Sequence, residues 1–369
     1  MKSIVRNSIV WMVALLLSMN ASAQTITPKG EWIKPSNEGI QYVGRISFKN
    51  PDSPAFTYPG TQIIARFEGT SLKMVAKPMS GYFIAQIDKA EPFKVGFNAP
   101  ADSIVTLATA LHDGTHEVRL MYIIEGYERK PEFRGFLLDE GKQLADAPTL
   151  PKRKIEFIGN SITCGYGIES TNPREHFMDE TENHYYTYAA RTARALQAQH
   201  IAVARSGIGI YRNYAGPKTG NENCMPNEYD YTQLYNHSEA WDFLRYTPDV
   251  VCINLGTNDT STEPYDLKLL EAGYRDFLKK VRGHYPNAKI VYLTGTMMDG
   301  KALENVSKTL NKVVEEANKA GDKEVYRFDM TPQTGSLGMG ADYHPSLWQH
   351  EKMAGELTAY LRSLMGWFD

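Results

Sequence analysis

Four short segments of this chain carry residues that could act together on a carbonyl group. They are Gly159-Asn160-Ser161-Ile162-Thr163, Ser206-Gly207-Ile208-Gly209, Gly256-Thr257-Asn258-Asp259 and Asp342-Tyr343-His344-Pro345. A serine hydroxyl is a weak nucleophile until a base takes its proton, and imidazole titrates near neutral pH. Ser161 and His344 suit those two roles. Attack on a carbonyl builds negative charge on its oxygen, which pre-aimed donors stabilise. The backbone amides of Ser161 and Gly207 and the side-chain amide of Asn258 supply three such donors, and glycine at 207 leaves the approach to the oxyanion uncrowded. A helix running on from the nucleophile would add its positive end. Asp342, two residues before the histidine, is an acid placed to orient the imidazole, by its carboxylate or by its backbone carbonyl. Tyr211 and Tyr343 flank the loops and offer ring faces on which a sugar could stack.

Taken one at a time, each segment reads equally well as a turn or a helix cap. The elements around them raise the joint reading. Beyond Ala147-Pro148-Thr149-Leu150-Pro151, short β runs at Lys154–Ile158, Ile201–Ala204, Val250–Leu255, Lys289–Leu293 and Val325–Phe328 alternate with helical stretches. The helices are expected over His184–Gln199, Tyr265–His284, Lys301–Lys319 and Pro345–Leu364. Such alternation predicts a parallel sheet covered on both faces. In open α/β sheets the active site lies beyond the carboxyl ends of the strands, where the four segments fall. No Gly-x-Ser-x-Gly elbow occurs, which argues against an α/β-hydrolase.

From about Gln24 to Asp146 the rhythm has period two. The pairs Gln62–Phe67 with Leu72–Ala76, and Ile104–Leu111 with His116–Tyr122, are separated by short turns and predict antiparallel hairpins. Seven or eight such strands predict a β-sandwich or jelly roll. The expected organisation is therefore a β domain over residues 24–150 and an α/β domain over 151–369.

Residues 1–23 have a secretory layout: Lys2 and Arg6, an apolar run from Ile9 to Met19, then Ala21-Ser22-Ala23. The apolar run is too short to span a bilayer, so export to a periplasm or beyond is expected, with no membrane attachment after cleavage. The formal charge of −3 gives no electrostatic case for nucleic acid as a partner. Three cysteines, Cys164, Cys224 and Cys252, are too few for a disulfide scaffold, and their odd number leaves at least one thiol outside any intramolecular pair. Metal-ligand spacings are absent, and the chemistry outlined above needs no cofactor. Cys164 reads as a small buried hydrophobe, Glu182 and Asn183 as helix caps, and His176 and His184 as surface or helix-end residues.

The block around Ser161 resembles the Gly-Asp-Ser motif of the GDSL, or SGNH, hydrolases, and Gly207, Asn258 and His344 match that family's remaining blocks in order. The fuller stretches Ile155–Gly167, Ser206–Tyr214, Ile253–Thr260 and Ala341–Pro345 look like its carbohydrate esterase family 2 branch. The resemblance implies a flavodoxin-like doubly wound sheet preceded by a jelly roll. It also implies removal of acetyl groups from plant polysaccharide sugars such as xylan or glucomannan. Asn160 stands where the family usually has Asp, so altered hydrogen bonding is expected in the nucleophile loop. Ala341 occupies the place of the general family's acid, three residues before the histidine. A lysophospholipase or thioesterase would use the same residues. A carbohydrate-binding protein that had lost catalysis is a further reading, against which the intact set of four blocks argues.

Overall fold

The computed structural model describes residues 30–368, so the secretory layout over residues 1–23 lies outside the described residues. Period-two segments build two antiparallel sheets. One places Glu31–Ile33, Phe133–Leu138, Leu72–Ala76 and Ile104–Ala108 side by side. The other runs Ile40–Val43, Gln62–Gly69, Gly114–Tyr122, Gly81–Ile87, Phe93–Phe97. Leu72, Met74 and Ala76 from the first sheet and Val118, Leu120 and Tyr122 from the second point into one core with Phe67, Phe83 and Phe136.

Both expected hairpins are crossovers between the sheets. Gln62–Gly69 and Leu72–Ala76 belong to different sheets, as do Ile104–Ala108 and Gly114–Tyr122. Alternation specifies which face of a strand is buried but does not name the partner strand. At the first crossover, the Asp139 carboxylate accepts hydrogen bonds from the amides and hydroxyls of Thr70 and Ser71, drawing the turn onto the strand that ends at Leu138. Gly69 turns the chain with φ +118°, a left-handed value that costs glycine little.

The second half is built on strands β1 (Arg153–Gly159), β2 (Ala198–Ala204), β3 (Val250–Asn254), β4 (Lys289–Thr294) and β5 (Val325–Asp329). All pair in parallel in the order β2-β1-β3-β4-β5, the flavodoxin-like doubly wound arrangement, whose strand order reverses at β1 and β3. The helices used below are α1 (Ser161–Cys164), α2 (Tyr188–Ala195), α3 (Thr257–Thr260), α4 (Leu267–His284), α5 (Gly300–Lys319) and α6 (Leu347–Met365); a further short one covers Met225–Glu228. Adjacent residues of β1 face opposite ways. Ile158 packs with Tyr274, Phe277 and Leu310 of α4 and α5, whereas Phe157 packs with Tyr188, Met353 and Leu357 of α2 and α6.

The helix expected over His184–Gln199 is interrupted. A 3-10 turn covers His184–Tyr186, Thr187 caps α2, and Gln197 at φ +50° ends it so that β2 begins at Ala198. Side-chain caps set the starts of α4 and α6: the Asp266 carboxylate accepts the amides of Lys268 and Leu269, and the Ser346 hydroxyl accepts that of Gln349.

A buried ion pair joins the two halves. Arg45 bonds to Glu156 of β1 at 3.1 Å and to the carbonyls of Tyr229 and Tyr231. Both side chains are fully buried, so the extra carbonyl acceptors help offset the cost of desolvating the charges.

Candidate active site

The chain leaves β1 at Gly159 and enters α1 at Ser161. Asn160, fully buried, caps this turn by accepting the Ile162 amide at 3.1 Å, while its Nδ2 has no partner. Helix α1 ends after one turn at Gly165, φ +93°, so it does not supply the long-helix field anticipated above. What it offers is the amide of Ser161, since those of Ile162, Thr163 and Cys164 all bond to Asn160.

His344 Nε2 lies 2.9 Å from Ser161 Oγ. Its other nitrogen, Nδ1, lies 3.0 Å from the carbonyl of Ala341. A carbonyl can only accept, so Nδ1 carries the proton and Nε2 presents its lone pair to the serine hydroxyl. Of the two routes expected for Asp342, carboxylate or backbone carbonyl, neither makes this bond: the acceptor is the carbonyl of Ala341. The Asp342 carboxylate accepts from the Tyr166 hydroxyl at 2.5 Å and pairs with His176 Nδ1 at 3.0 Å. The cause is backbone geometry. Asp342 and Tyr343 adopt left-handed φ values of +46° and +59°, which turn the Asp342 side chain outward and bring the Ala341 carbonyl under the imidazole.

The Tyr166 ring stacks on His344, with centroids 4.0 Å apart. Part of the imidazole remains accessible, but the surrounding protein makes charging it costly. Desolvation lowers its pKa to about 4, against a smaller upward pull from the Ala341 carbonyl and the nearby Asp342 charge. For Asp342, burial raises the pKa, but donation from Tyr166 and His176 outweighs it, and the net direction is down.

On the far side of Ser161, neither the Ser161 amide nor the Gly207 amide has an acceptor among the described residues. The Asn258 side chain, on α3, donates one N–H to the Ile208 carbonyl at 2.8 Å, which fixes the amide plane and leaves its second N–H free. Gly207 has φ +78°, and an added Cβ would come within 3.2 Å of Arg205. Backbone conformation is thus a stronger reason for glycine here than crowding at the oxyanion. Asp259, fully buried, accepts the amides of Ile210, Tyr211 and Arg212 and ties the following loop to α3.

Ser161, Gly207, Asn258 and His344 all line one cleft of about 710 Å³. Tyr343, about half exposed, lines it too. Tyr211 does not: its hydroxyl accepts the Asp266 amide at 2.8 Å and its ring packs on the core, so its sugar-stacking role is withdrawn. Tyr214, Tyr166 and Arg205 line the cleft instead. Tyr214 falls inside the glycine block, and Tyr166 follows α1 in Gly165-Tyr166-Gly167. That placement is the only signal that could have singled them out.

His184 sits at a helix end as expected but is fully buried, with Nε2 3.1 Å from His200 Nε2. His176 is exposed and pairs with Asp342. Asn183 caps the 3-10 turn through the Tyr185 amide. Glu182 is not a cap; it is buried and accepts the Glu125 amide. All three cysteines are free and buried.

Comparisons with known proteins identify the family of the chain. The sequence profile of the GDSL-like lipase/acylhydrolase family matches residues 157–352, and that of the carbohydrate esterase 2 N-terminal region matches residues 42–148. A solved family two carbohydrate esterase from Clostridium thermocellum, in complex with cellohexaose, is 37% identical with a TM-score of 0.83. The alignment covers 89% of this chain and 100% of that one. The chain belongs to the GDSL hydrolases, in the family 2 carbohydrate esterase branch. Cellulase/esterase CelE of Acetivibrio thermocellus is 39% identical over 90% of this esterase, which spans 40% of that relative's length. An acetylxylan esterase/glucomannan deacetylase of Cellvibrio japonicus is 29% identical over 95% of this esterase and 96% of its own length.

Proposed function

We propose that this esterase removes O-acetyl groups from plant polysaccharide or oligosaccharide sugars such as xylan and glucomannan, by way of an acetyl-enzyme on Ser161. The observation that carries the chemistry is the 2.9 Å contact between Ser161 Oγ and His344 Nε2, facing two unpaired backbone amides. The substrate class is supported by the Cellvibrio japonicus relative, whose name specifies acetylxylan and glucomannan.

The neutral Nε2 takes the Ser161 proton as Oγ attacks the acetyl carbonyl. The amides of Ser161 and Gly207 and the free Asn258 N–H receive the oxyanion. The imidazolium keeps its Nδ1 proton on the Ala341 carbonyl and gives the Nε2 proton to the departing sugar oxygen. Water then repeats the sequence on the acetyl-enzyme, releasing acetate and restoring the serine. Five residues, Ser161, Gly207, Asn258, Ala341 and His344, complete this cycle, whose steps call for no cofactor. Export to a periplasm or beyond, through the segment at residues 1–23, would bring the enzyme to such polymers.

Ser161→Ala tests the assignment. Hydrolysis of 4-nitrophenyl acetate and acetate release from acetylated xylan, followed by NMR, are expected to fall at least about 10⁴-fold, the scale for losing a serine nucleophile. Wild-type rates in that variant would refute it. Chain-length profiling with 4-nitrophenyl esters is expected to favour acetate.

A further inference from the structure

The oxyanion loop is held from outside the α/β half of the molecule. Ser206, the residue before Gly207, donates its amide to Glu125 Oε1 at 2.7 Å and its hydroxyl to the second oxygen of the same carboxylate. Glu125 lies just beyond the strand Gly114–Tyr122, in the β-rich half. Its own amide donates to Glu182 Oε2 at 2.9 Å, and the neighbouring Asn183 amide donates to the Gly165 carbonyl at the end of α1, 3.1 Å away. Glu125 therefore holds the glycine loop, and through Glu182 it is joined to Asn183, which holds the turn that carries the nucleophile.

We propose that Glu125 is a positioning residue of this esterase: by gripping both donors of Ser206 it sets the direction of the Gly207 amide, which makes the N-terminal sandwich a working part of the active site. The role rests on the ester-hydrolase reading above. A two-oxygen grip fixes orientation as well as place, because Ser206 cannot rotate without losing one of its two bonds.

The protonation state fits this role. Glu182 is fully buried, and its Oε1 has no donor. Burial, and next the facing Glu125 charge, push its pKa well above the ordinary carboxylate value. Burial raises Glu125 as well, but the two Ser206 donors and Arg205 oppose that rise. Two facing carboxylates resist ionising together, and the donors from Ser206 and the Arg205 charge favour the charged form at Glu125 over Glu182. Cys164 completes the cluster, its sulfur within 4.8 Å of a carboxylate oxygen from each acid. Burial, and then the Glu125 charge, push its thiol far up, so it stays protonated. Three of the four carboxylate oxygens are taken by protein donors, and only Glu182 Oε1 is without one among the described residues.

The test compares Glu125→Ala, Glu125→Gln and Ser206→Ala in the full chain, on 4-nitrophenyl acetate. Glu125→Ala is expected to lower kcat roughly 10²-fold with KM changed less than about threefold, because a misdirected donor is missed mainly in the transition state. Binding of a phosphonate transition-state analogue is expected to weaken by the same factor. Glu125→Gln keeps one acceptor and is expected to recover part of the loss, and Ser206→Ala to lose several-fold. A lowered melting temperature with wild-type kcat per folded enzyme in Glu125→Ala would mean a structural role only and overturn the proposal. Should that variant not fold, wild-type kcat in Ser206→Ala overturns it alone. The Ser161→Ala control separates the two readings: if it is as active as wild type the esterase reading itself falls, whereas an inert control beside a fully active Glu125→Ala sinks only the positioning role.

Discussion

Asp259 follows Asn258 by one residue, and Asp342 precedes His344 by two. In sequence the two acids look alike, each beside a residue of the cleft. In space they differ. Asp259 is buried and accepts three consecutive backbone amides, so the loop after Gly207 is fastened to the helix that carries Asn258. The Asp342 carboxylate is one-third exposed, bonds to Tyr166 and His176, and leaves the imidazole to the Ala341 carbonyl. Proximity along the chain thus predicts little about which acid organises the chemistry. What decides is which backbone donors and acceptors the fold brings within bonding distance. An exposed carboxylate acts on His344 through space, by a charge that water screens. A buried one acts through the positions of the amides it holds.

The contrast can be broken or sharpened by four measurements. The largest effect is expected from Asn258→Ala, which removes one oxyanion donor and is expected to lower kcat by roughly 10²–10³. Steady-state kinetics with 4-nitrophenyl acetate check it, and a loss under tenfold would remove Asn258 from the hole. Next comes Asp259→Asn. It keeps the shape but replaces one acceptor oxygen with a donor that faces amide donors, at a cost of about 1–3 kcal/mol. Its midpoint in urea is expected to fall, and kcat to drop by about tenfold or more as the loop loosens.

Asp342→Asn is expected to cost less than about tenfold, whereas losing the acid of a true triad costs about 10⁴. A loss on that larger scale would restore Asp342 to the machinery. The smallest effect concerns pH. The base must be neutral, so kcat/KM falls as pH drops through the pKa of His344 in the free enzyme. With that pKa lowered to about 4 by desolvation, the acid limb is expected well below the 6.5 of a free histidine. The Asp342 charge raises the His344 pKa, so Asp342→Asn is expected to move the limb slightly further toward acid. A limb at 6.5, or one displaced toward higher pH in the variant, contradicts this account.

Much of the fold was legible. Parallel strands in an α/β half must be apolar nearly throughout, and runs such as Val250–Asn254 show it; strands of the β half must alternate, as Leu72–Ala76 does. The order of the four blocks, each after a strand, located the cleft before any coordinate. Strand partners were not legible, because Gln62–Gly69 and Leu72–Ala76 bury the right residues whether or not they pair. The early end of α2 was missed because its cause, a left-handed Gln197, leaves no trace in hydrophobic period. Tyr211 was misplaced for a related reason: a tyrosine beside a loop can turn its hydroxyl to a backbone amide as readily as its ring to a ligand.

By itself the sequence determined the residue types, their order and the secondary elements that carry them, because burial patterns and strand–helix alternation are local properties of the chain. Only the tertiary structure decided that the Ala341 carbonyl holds His344, that Tyr166 covers it, and that Glu125 reaches Ser206 across 81 positions. Those choices depend on backbone torsions at single residues and on contacts between distant segments. No local pattern of polarity encodes either one.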